Sequence, residues 1–226
     1  MVGEGLSENH PELMDSVYRR QRHVYDFTRK YYLLGRDELI ACLAVKSGDV
    51  VVEIGCGTGR NLVKMAKRYK GVRFCGLDAS REMLKSAETA IARAGLSDRI
   101  RLAHGLAEDL SPAMFGLETP FDAAIFSYSL SMIPDWKQAF SRAGAAVGEG
   151  QVYIVDFGDL RGLGAVAASI LRFWLRLFHV TPRDEILRKI ESLQPLEEQS
   201  TSLRILAGHY AFVWQGRGKT VQSLVL

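Results

Sequence analysis

Apolar and polar positions follow two rhythms along this chain, one helical and one extended. Met14, Tyr18, Gln21, Tyr25, Thr28 and Tyr32 recur every three or four residues, which predicts a helix over 11–45. Gly35 breaks that helix, and Arg36 to Val45 resumes it. Asp49 to Ile54 (DVVVEI) is a valine-rich run bounded by Gly48 and Gly55, the pattern of a strand buried on both faces. The alternation then repeats: helix from Gly59 to Lys70, strand from Val72 to Leu77, helix from Ser80 to Ala94, strand from Arg99 to His104. Ser80 suits the N-cap of its helix. Phe121 to Ser127 and Gln151 to Asp156 are the fourth and fifth strands, separated by a helix from Trp136 to Val147. A strongly apolar helix follows from Leu163 to Phe178, then another from Pro182 to about Leu193. Thr201 to Leu206 and His209 to Gln215 read as a closing antiparallel pair. Strands alternating with helices predict an α/β fold, a seven-stranded and mostly parallel sheet with helices on both faces.

Composition narrows the function classes. The chain has 226 residues, 47% hydrophobic and 24% charged, which excludes a disordered or collagen-like protein and suggests one domain with additions. A net charge of +3 is too mild to imply nucleic acid unless it is clustered. Cys42, Cys56 and Cys75 form no CxxC pair, so neither a zinc site nor a disulfide framework is expected. The N-terminus lacks a basic stretch followed by an apolar core, so no signal peptide is expected. Gly162 to Val180 is interrupted by Arg172 and Arg176 and falls short of a membrane span. A soluble cytoplasmic protein is expected, with contact to a membrane surface left open.

The sharpest signal is Val51-Val52-Glu53-Ile54-Gly55-Cys56-Gly57-Thr58-Gly59-Arg60-Asn61. A strand ends in an acid, and alternate glycines carry the chain into a helix, where backbone amides can approach a ligand closely. G-x-G-x-x-G is absent, because Arg60 stands where its third glycine would be, and no phosphate-binding G-x-x-x-x-G-K-[ST] exists. Glu53 would repel a pyrophosphate and suits a ligand with an amino group. Asp78 ends the second strand about twenty residues beyond the loop, a place from which a carboxylate accepts ribose hydroxyls.

These residues together resemble the class I S-adenosylmethionine-dependent methyltransferases, whose fold is Rossmann-like. The resemblance implies S-adenosyl-L-methionine as cofactor. It implies that Gly55, Gly57 and Gly59 line the methionine portion, that Glu53 meets the amino group, and that Asp78 meets the ribose. Cys56, Thr58, Asn61, Ala79, Met83 and Ser127 complete the expected cofactor contacts. Many relatives carry Gly-Asp after the third strand. This chain has Gly105-Leu106-Ala107-Glu108, so backbone groups of Leu106 and Ala107, or the Glu108 carboxylate, are the expected adenine contacts.

Further segments carry a narrower resemblance: residues 18–37, dense in Arg and Tyr; Ser127-Tyr128-Ser129-Leu130-Ser131-Met132-Ile133-Pro134; Val155-Asp156-Phe157-Gly158; and Phe178-His179-Val180-Thr181-Pro182-Arg183. Together they resemble the betaine-lipid N-methyltransferases of the BtaB type, over about residues 10–215, with the tail from Arg217 outside the match. This implies methyl transfer to the amine of diacylglyceryl-homoserine, a partner enzyme that makes that lipid, and residues 1–45 as a helical lid on a methyltransferase domain at 46–226. Aromatic faces stabilise quaternary ammonium groups, and Tyr25, Tyr32 and Tyr128 are the candidates, packing of one helix being the alternative for the first two. Asp156 could orient substrate or serve structure, and His179 could take the leaving proton or be a hydrogen-bonded structural residue. Arg22, Arg29, Arg36 and Arg183 could pair with the substrate carboxylate, Met132 lies in the post-strand segment, and Phe173 and Trp174 would meet lipid. The apolar helix is expected either on a bilayer surface, peripheral to the inner face of the membrane, or in a core or dimer contact. Two rivals stay open: methylation of another amine or lipid (phosphatidylethanolamine or a quinone type), and a non-catalytic cofactor-binding or RNA-binding module. No nucleic-acid partner is expected, since the six basic residues of 16–36 come without a stacking sheet.

Overall fold

The computed structural model describes residues 33–177, 180–193 and 201–225. The strands are β1 (Val50–Ile54), β2 (Arg73–Asp78), β3 (Ile100–His104), β4 (Ala123–Ser127), β5 (Gln151–Phe157), β6 (Ser202–Leu206) and β7 (Ala211–Arg217). The helices are α1 (Arg36–Cys42), α2 (Arg60–Arg68), α3 (Arg81–Arg93), α4 (Trp136–Val147), α5 (Ala165–Leu177), α6 (Asp184–Leu193) and α7 (Gly218–Val225). All seven strands join one sheet in the order β3-β2-β1-β4-β5-β7-β6. β1 to β5 are parallel, and β7 runs antiparallel between β5 and β6.

Because strand side chains alternate between faces, the sheet divides the core in two. Val51, Phe74, Tyr153 and Val155 pack with Leu39, Ile40, Leu62, Met65, Ile91 and Leu175 of α1, α2, α3 and α5. Val52, Ile54, Cys75 and Ile154 pack on the other side with Phe140, Ile186, Leu187, Val221 and Leu224 of α4, α6 and α7. Every residue of β1 is buried, which explains why its valines run without polar alternation; Glu53 is the one buried charge in the strand. Ser80 caps α3 by accepting from the Met83 amide at 3.3 Å, and Asp135 caps α4 by accepting from Gln138 at 3.1 Å. Asp122, just ahead of β4, accepts from the Val50 amide at 2.8 Å and aligns β1 with β4.

Three features go beyond the sequence reading. Residues 218–225, outside the recognised pattern, form a helix whose Val221 and Leu224 are buried. Two short 3-10 turns, Ala107–Asp109 and Pro112–Phe115, follow β3. Of the segment 1–45 expected as a lid, residues 33–45 are built into the core through Leu33, Leu39, Ile40 and Leu43, and residues 1–32 lie outside the described residues. After β1 the chain builds outward through β2 and β3, then returns to place β4 on the other side of β1. That reversal leaves a crevice at the carboxyl ends of β1 and β4, where ligands of open α/β sheets bind.

Candidate functional site

The crevice holds two clefts separated by the glycine loop, with Gly55 and Gly57 bordering both. The first measures about 680 Å³ including its open mouth, and its walls include Asp78, Ala79, Leu106, Ala107, Tyr128 and Met132. The second measures about 460 Å³ and is walled by Leu33, Arg36, Glu53, Arg60, Asn61 and Ser127, with Cys56 and Thr58 from the loop.

Backbone hydrogen bonds fix the loop. The amides of Gly55 and Cys56 both donate to the Leu77 carbonyl, at 2.8 and 3.0 Å. The Asp78 carboxylate accepts from the Gly57 amide at 2.7 Å and from the Ser80 amide at 2.9 Å. An ionised carboxylate offers about four acceptor positions, so one group can hold both the loop and a pair of vicinal hydroxyls. Gly55 has a φ of +73°, and a Cβ there would stand 2.6 Å from the Ser129 Cβ. The strand-to-helix turn therefore requires glycine at this position.

The second cleft is polar and bears both charges. Glu53 is 1% exposed and accepts from the Asn61 side-chain amide at 2.8 Å, which also donates to the Ser127 hydroxyl at 3.1 Å. A buried carboxylate favours a cationic partner, and the Arg36 and Arg60 guanidinium groups favour an anionic one. A zwitterionic amino-acid end fits here, and a nucleoside fits the first cleft beside Asp78. Burial, together with the Asp78 and Glu53 charges, pushes the Cys56 thiol far up, so it stays protonated and serves as packing. Glu108 lines the first cleft, and burial raises its carboxyl above the usual range.

The segment after β4 forms the remaining wall, and here two residues considered for catalytic or substrate contacts, Asp156 and Arg183, make supporting hydrogen bonds. Asp156 is 2% exposed; its two oxygens accept from the amides of Ser131 at 3.0 Å and Phe157 at 2.8 Å. Arg183 donates to the carbonyls of Leu130 and Ile133, and the Thr181 amide donates to the Ser131 carbonyl at 2.9 Å. Both charged side chains thus brace the 128–134 wall, and neither is among the residues that line the two clefts. Met83, expected at the cofactor, is 3% exposed in the packing of α3. Trp174 packs half-buried against the core beside Leu171, whereas its neighbour Phe173 is 59% exposed; adjacent helix positions point about 100° apart. Gly59 caps α2 rather than lining either cleft. Arg22, Arg29, Tyr25, Tyr32 and His179 lie outside the described residues. The sequence reading missed Ser129, Ile133 and Pro134 as cleft walls, although they sit in a segment it had singled out.

Asp156 carries a pH signature. Burial pushes its carboxyl up to about 6, against about 3.9 for an unfolded Asp. Its contribution to stability is therefore full below about pH 4 and is lost as the pH rises through about 6. Unfolding free energy from urea titrations is expected to fall, relative to an Asp156→Asn variant, by on the order of 2–3 kcal/mol between pH 4 and pH 7. A difference between the two proteins that does not move with pH would contradict this placement of the charge.

Residues 51–150 match the methyltransferase domain family. The tRNA 5-carboxymethoxyuridine methyltransferase of Escherichia coli K12 is 30% identical over 113 residues, half of this chain and 41% of that protein. The trans-aconitate 2-methyltransferase of Afipia carboxidovorans is 28% identical over 141 residues, 59% of this chain and 51% of that protein. The chain thus spans about half the length of these relatives, or less. Among solved structures, the S-adenosylmethionine-dependent methyltransferase SibL in its apo form superimposes with a TM-score of 0.62 at 20% identity, over 95% of this chain and 59% of that one.

Proposed function

We propose that this chain, whose residues 51–150 match the methyltransferase domain family, is a class I S-adenosylmethionine-dependent methyltransferase that methylates the amino group of diacylglyceryl-homoserine in successive rounds to give the trimethylated betaine lipid. The observation that carries the lipid acceptor is the outer face of α5: Val166, Ile170 and Phe173 are 75%, 65% and 59% exposed, at spacings that align them on one side of the helix. Among the described residues no helix is long and apolar enough to cross a membrane. A partly exposed apolar helix with Arg176 in its last turn suits the interface of a bilayer, where a diacyl substrate resides.

S-adenosylmethionine, when bound, supplies an electrophilic methyl group on a positively charged sulfur. Asp78 would hold the ribose hydroxyls, and Leu106, Ala107 and Glu108 would face the adenine. Glu53, with Asn61 orienting it, would hold the amino group. Cofactor and acceptor carboxylates would share the Arg36 and Arg60 side of the second cleft. An α-amino group has a pKa near 8, so a fraction of the acceptor is neutral without a base from the protein. Alignment of the acceptor is then the chief task of the chain, and good alignment can lower a barrier by about 7–11 kcal/mol.

The test uses purified protein, methyl-labelled cofactor, and phosphatidylcholine–phosphatidylglycerol vesicles containing diacylglyceryl-homoserine. Label is expected in the lipid as one to three methyl groups resistant to mild base. Absence of label from the lipid would overturn the proposal. A second reading, O-methylation of a carboxylate, is favoured by the two guanidinium groups and by the carboxylates of the compounds that name the relatives above. It predicts a single, base-labile methyl. Burying a large apolar side chain contributes about 1.5–3 kcal/mol. Ile170→Asp with Phe173→Asp is therefore expected to weaken vesicle sedimentation more than tenfold and to leave S-adenosylhomocysteine affinity within twofold. Undiminished sedimentation would remove α5 from the membrane contact.

A further inference from the structure

We propose that Tyr128 is a positioning residue whose hydroxyl latches the wall of the cofactor cleft to the Leu33–Arg36 wall of the neighbouring cleft, so that cofactor occupancy sets where the Arg36 guanidinium stands. The Tyr128 side chain is 2% exposed, and its residue borders the first cleft. Its hydroxyl donates to the Leu34 carbonyl at 2.6 Å, across 94 positions of sequence. Its ring meets Phe157 edge-on at 4.8 Å between centroids. Burial pushes the phenol far above its ordinary range, so it remains a neutral donor.

The backbone at both ends of this contact is held in uncommon conformations. Tyr128 has a φ of +56°, a costly value for a bulky side chain, and such residues persist only where surrounding packing dictates them. The Tyr128 amide donates to Val155 at 2.7 Å, which pins the turn to β5. On the other side, Gly35 has a φ of +79°, and a Cβ there would stand 2.6 Å from Leu206 and 2.9 Å from Val213. Leu34 is thus followed by a kink wedged onto the sheet, and Arg36 begins α1 directly after it. Leu33 and Arg36 both line the second cleft. One hydroxyl therefore joins a wall of the nucleoside cleft to the two residues that close the amino-acid cleft. A ligand that settles the 128–134 wall also settles Arg36.

The role of Arg36 toward an acceptor rests on the proposed function, but the latch is tested without turnover. Amide hydrogen exchange of Leu39 and Ile40 is followed with and without S-adenosylhomocysteine, in the full chain and in Tyr128→Phe. In the wild type the ligand is expected to slow exchange at these amides. In Tyr128→Phe, with S-adenosylhomocysteine at saturation as judged by calorimetry, the ligand-dependent slowing is expected to be lost. With diacylglyceryl-homoserine vesicles, the variant is expected to raise the acceptor KM by about five- to 150-fold, the range for one buried hydrogen bond left unmade, with kcat little changed. A merely structural tyrosine would speed exchange equally in both ligand states and leave the slowing intact, and that result would overturn the latch. Gly35→Ala attacks the same contact from the opposite side. It is expected to uncouple exchange in the same way, and retained coupling there also counts against the proposal. Absence of S-adenosylhomocysteine binding by the wild type would instead overturn the methyltransferase reading.

Discussion

Asp78→Ala is expected to weaken S-adenosylhomocysteine binding at least a hundredfold, measured by calorimetry. The carboxylate is a hydrogen-bond hub at the end of β2, accepting from Gly57 at 2.7 Å and from Ser80 at 2.9 Å. Hydrogen bonds to a charged group contribute about 1.5–3 kcal/mol each, so alanine frees the centre of the glycine loop and the start of α3 together. The ribose contacts expected of the same carboxylate are lost as well. A hundredfold corresponds to about 2.7 kcal/mol, which is modest against that sum. Asp78→Asn should fall between the two, because an amide can accept from one backbone N–H but turns a donor toward the other. Affinity within threefold of wild type in the alanine variant would remove Asp78 from the cofactor site.

Gly55→Ala is expected to abolish measurable cofactor binding and to destabilise the fold by about 2–5 kcal/mol. Two costs add. A left-handed backbone costs about 1–2 kcal/mol for an L-residue, and forced overpacking typically costs about 1–3 kcal/mol. The overpacking has a named partner, since the new Cβ would lie 2.6 Å from the Ser129 Cβ. Ser129 belongs to the wall that Asp156 and Arg183 brace, so it has little room to retreat. Adding Ser129→Gly should therefore recover the steric share of the stability, leaving the backbone share. Urea titrations of the single and double variants measure this, and no recovery in the double variant would show that the clash is not the cause.

The central strands β1, β4 and β5 were legible because they are buried on both faces. Val50–Val52 therefore carries an apolar signal without alternation, and the glycines around the strand mark the turns. The helix bounds were equally plain where a cap stood in the sequence, as with Ser80 for α3 and Gly148 after α4. Helix α7 was not legible: its eight residues, Gly218–Val225, carry one short apolar pair, Val221 and Leu224, and only the surface offered by Phe140 and Trp214 makes that pair a core contact. The glycine loop and Asp78 were found because spacing along one β-α-β unit fixes their meeting.

Asp156, Arg183, Trp174 and Tyr128 show the limit. Each has the chemistry of a site residue, and residue type and approximate location made each a candidate for catalysis or substrate, with a structural role left open for Asp156. What a carboxylate or guanidinium does depends on whether backbone amides or carbonyls from other elements come within hydrogen-bonding reach. For Asp156 those partners include Ser131, 25 positions away, for Arg183 they lie 50 or more positions away, and for Tyr128 the partner lies 94 away. The sequence by itself determined the alternation of elements, the glycine turn that lines the clefts and the acid that holds it, because local spacing and burial period act over a few residues. Only the tertiary structure decided which polar side chains face the clefts and which brace their walls, because that choice rests on contacts the chain makes with itself at long range.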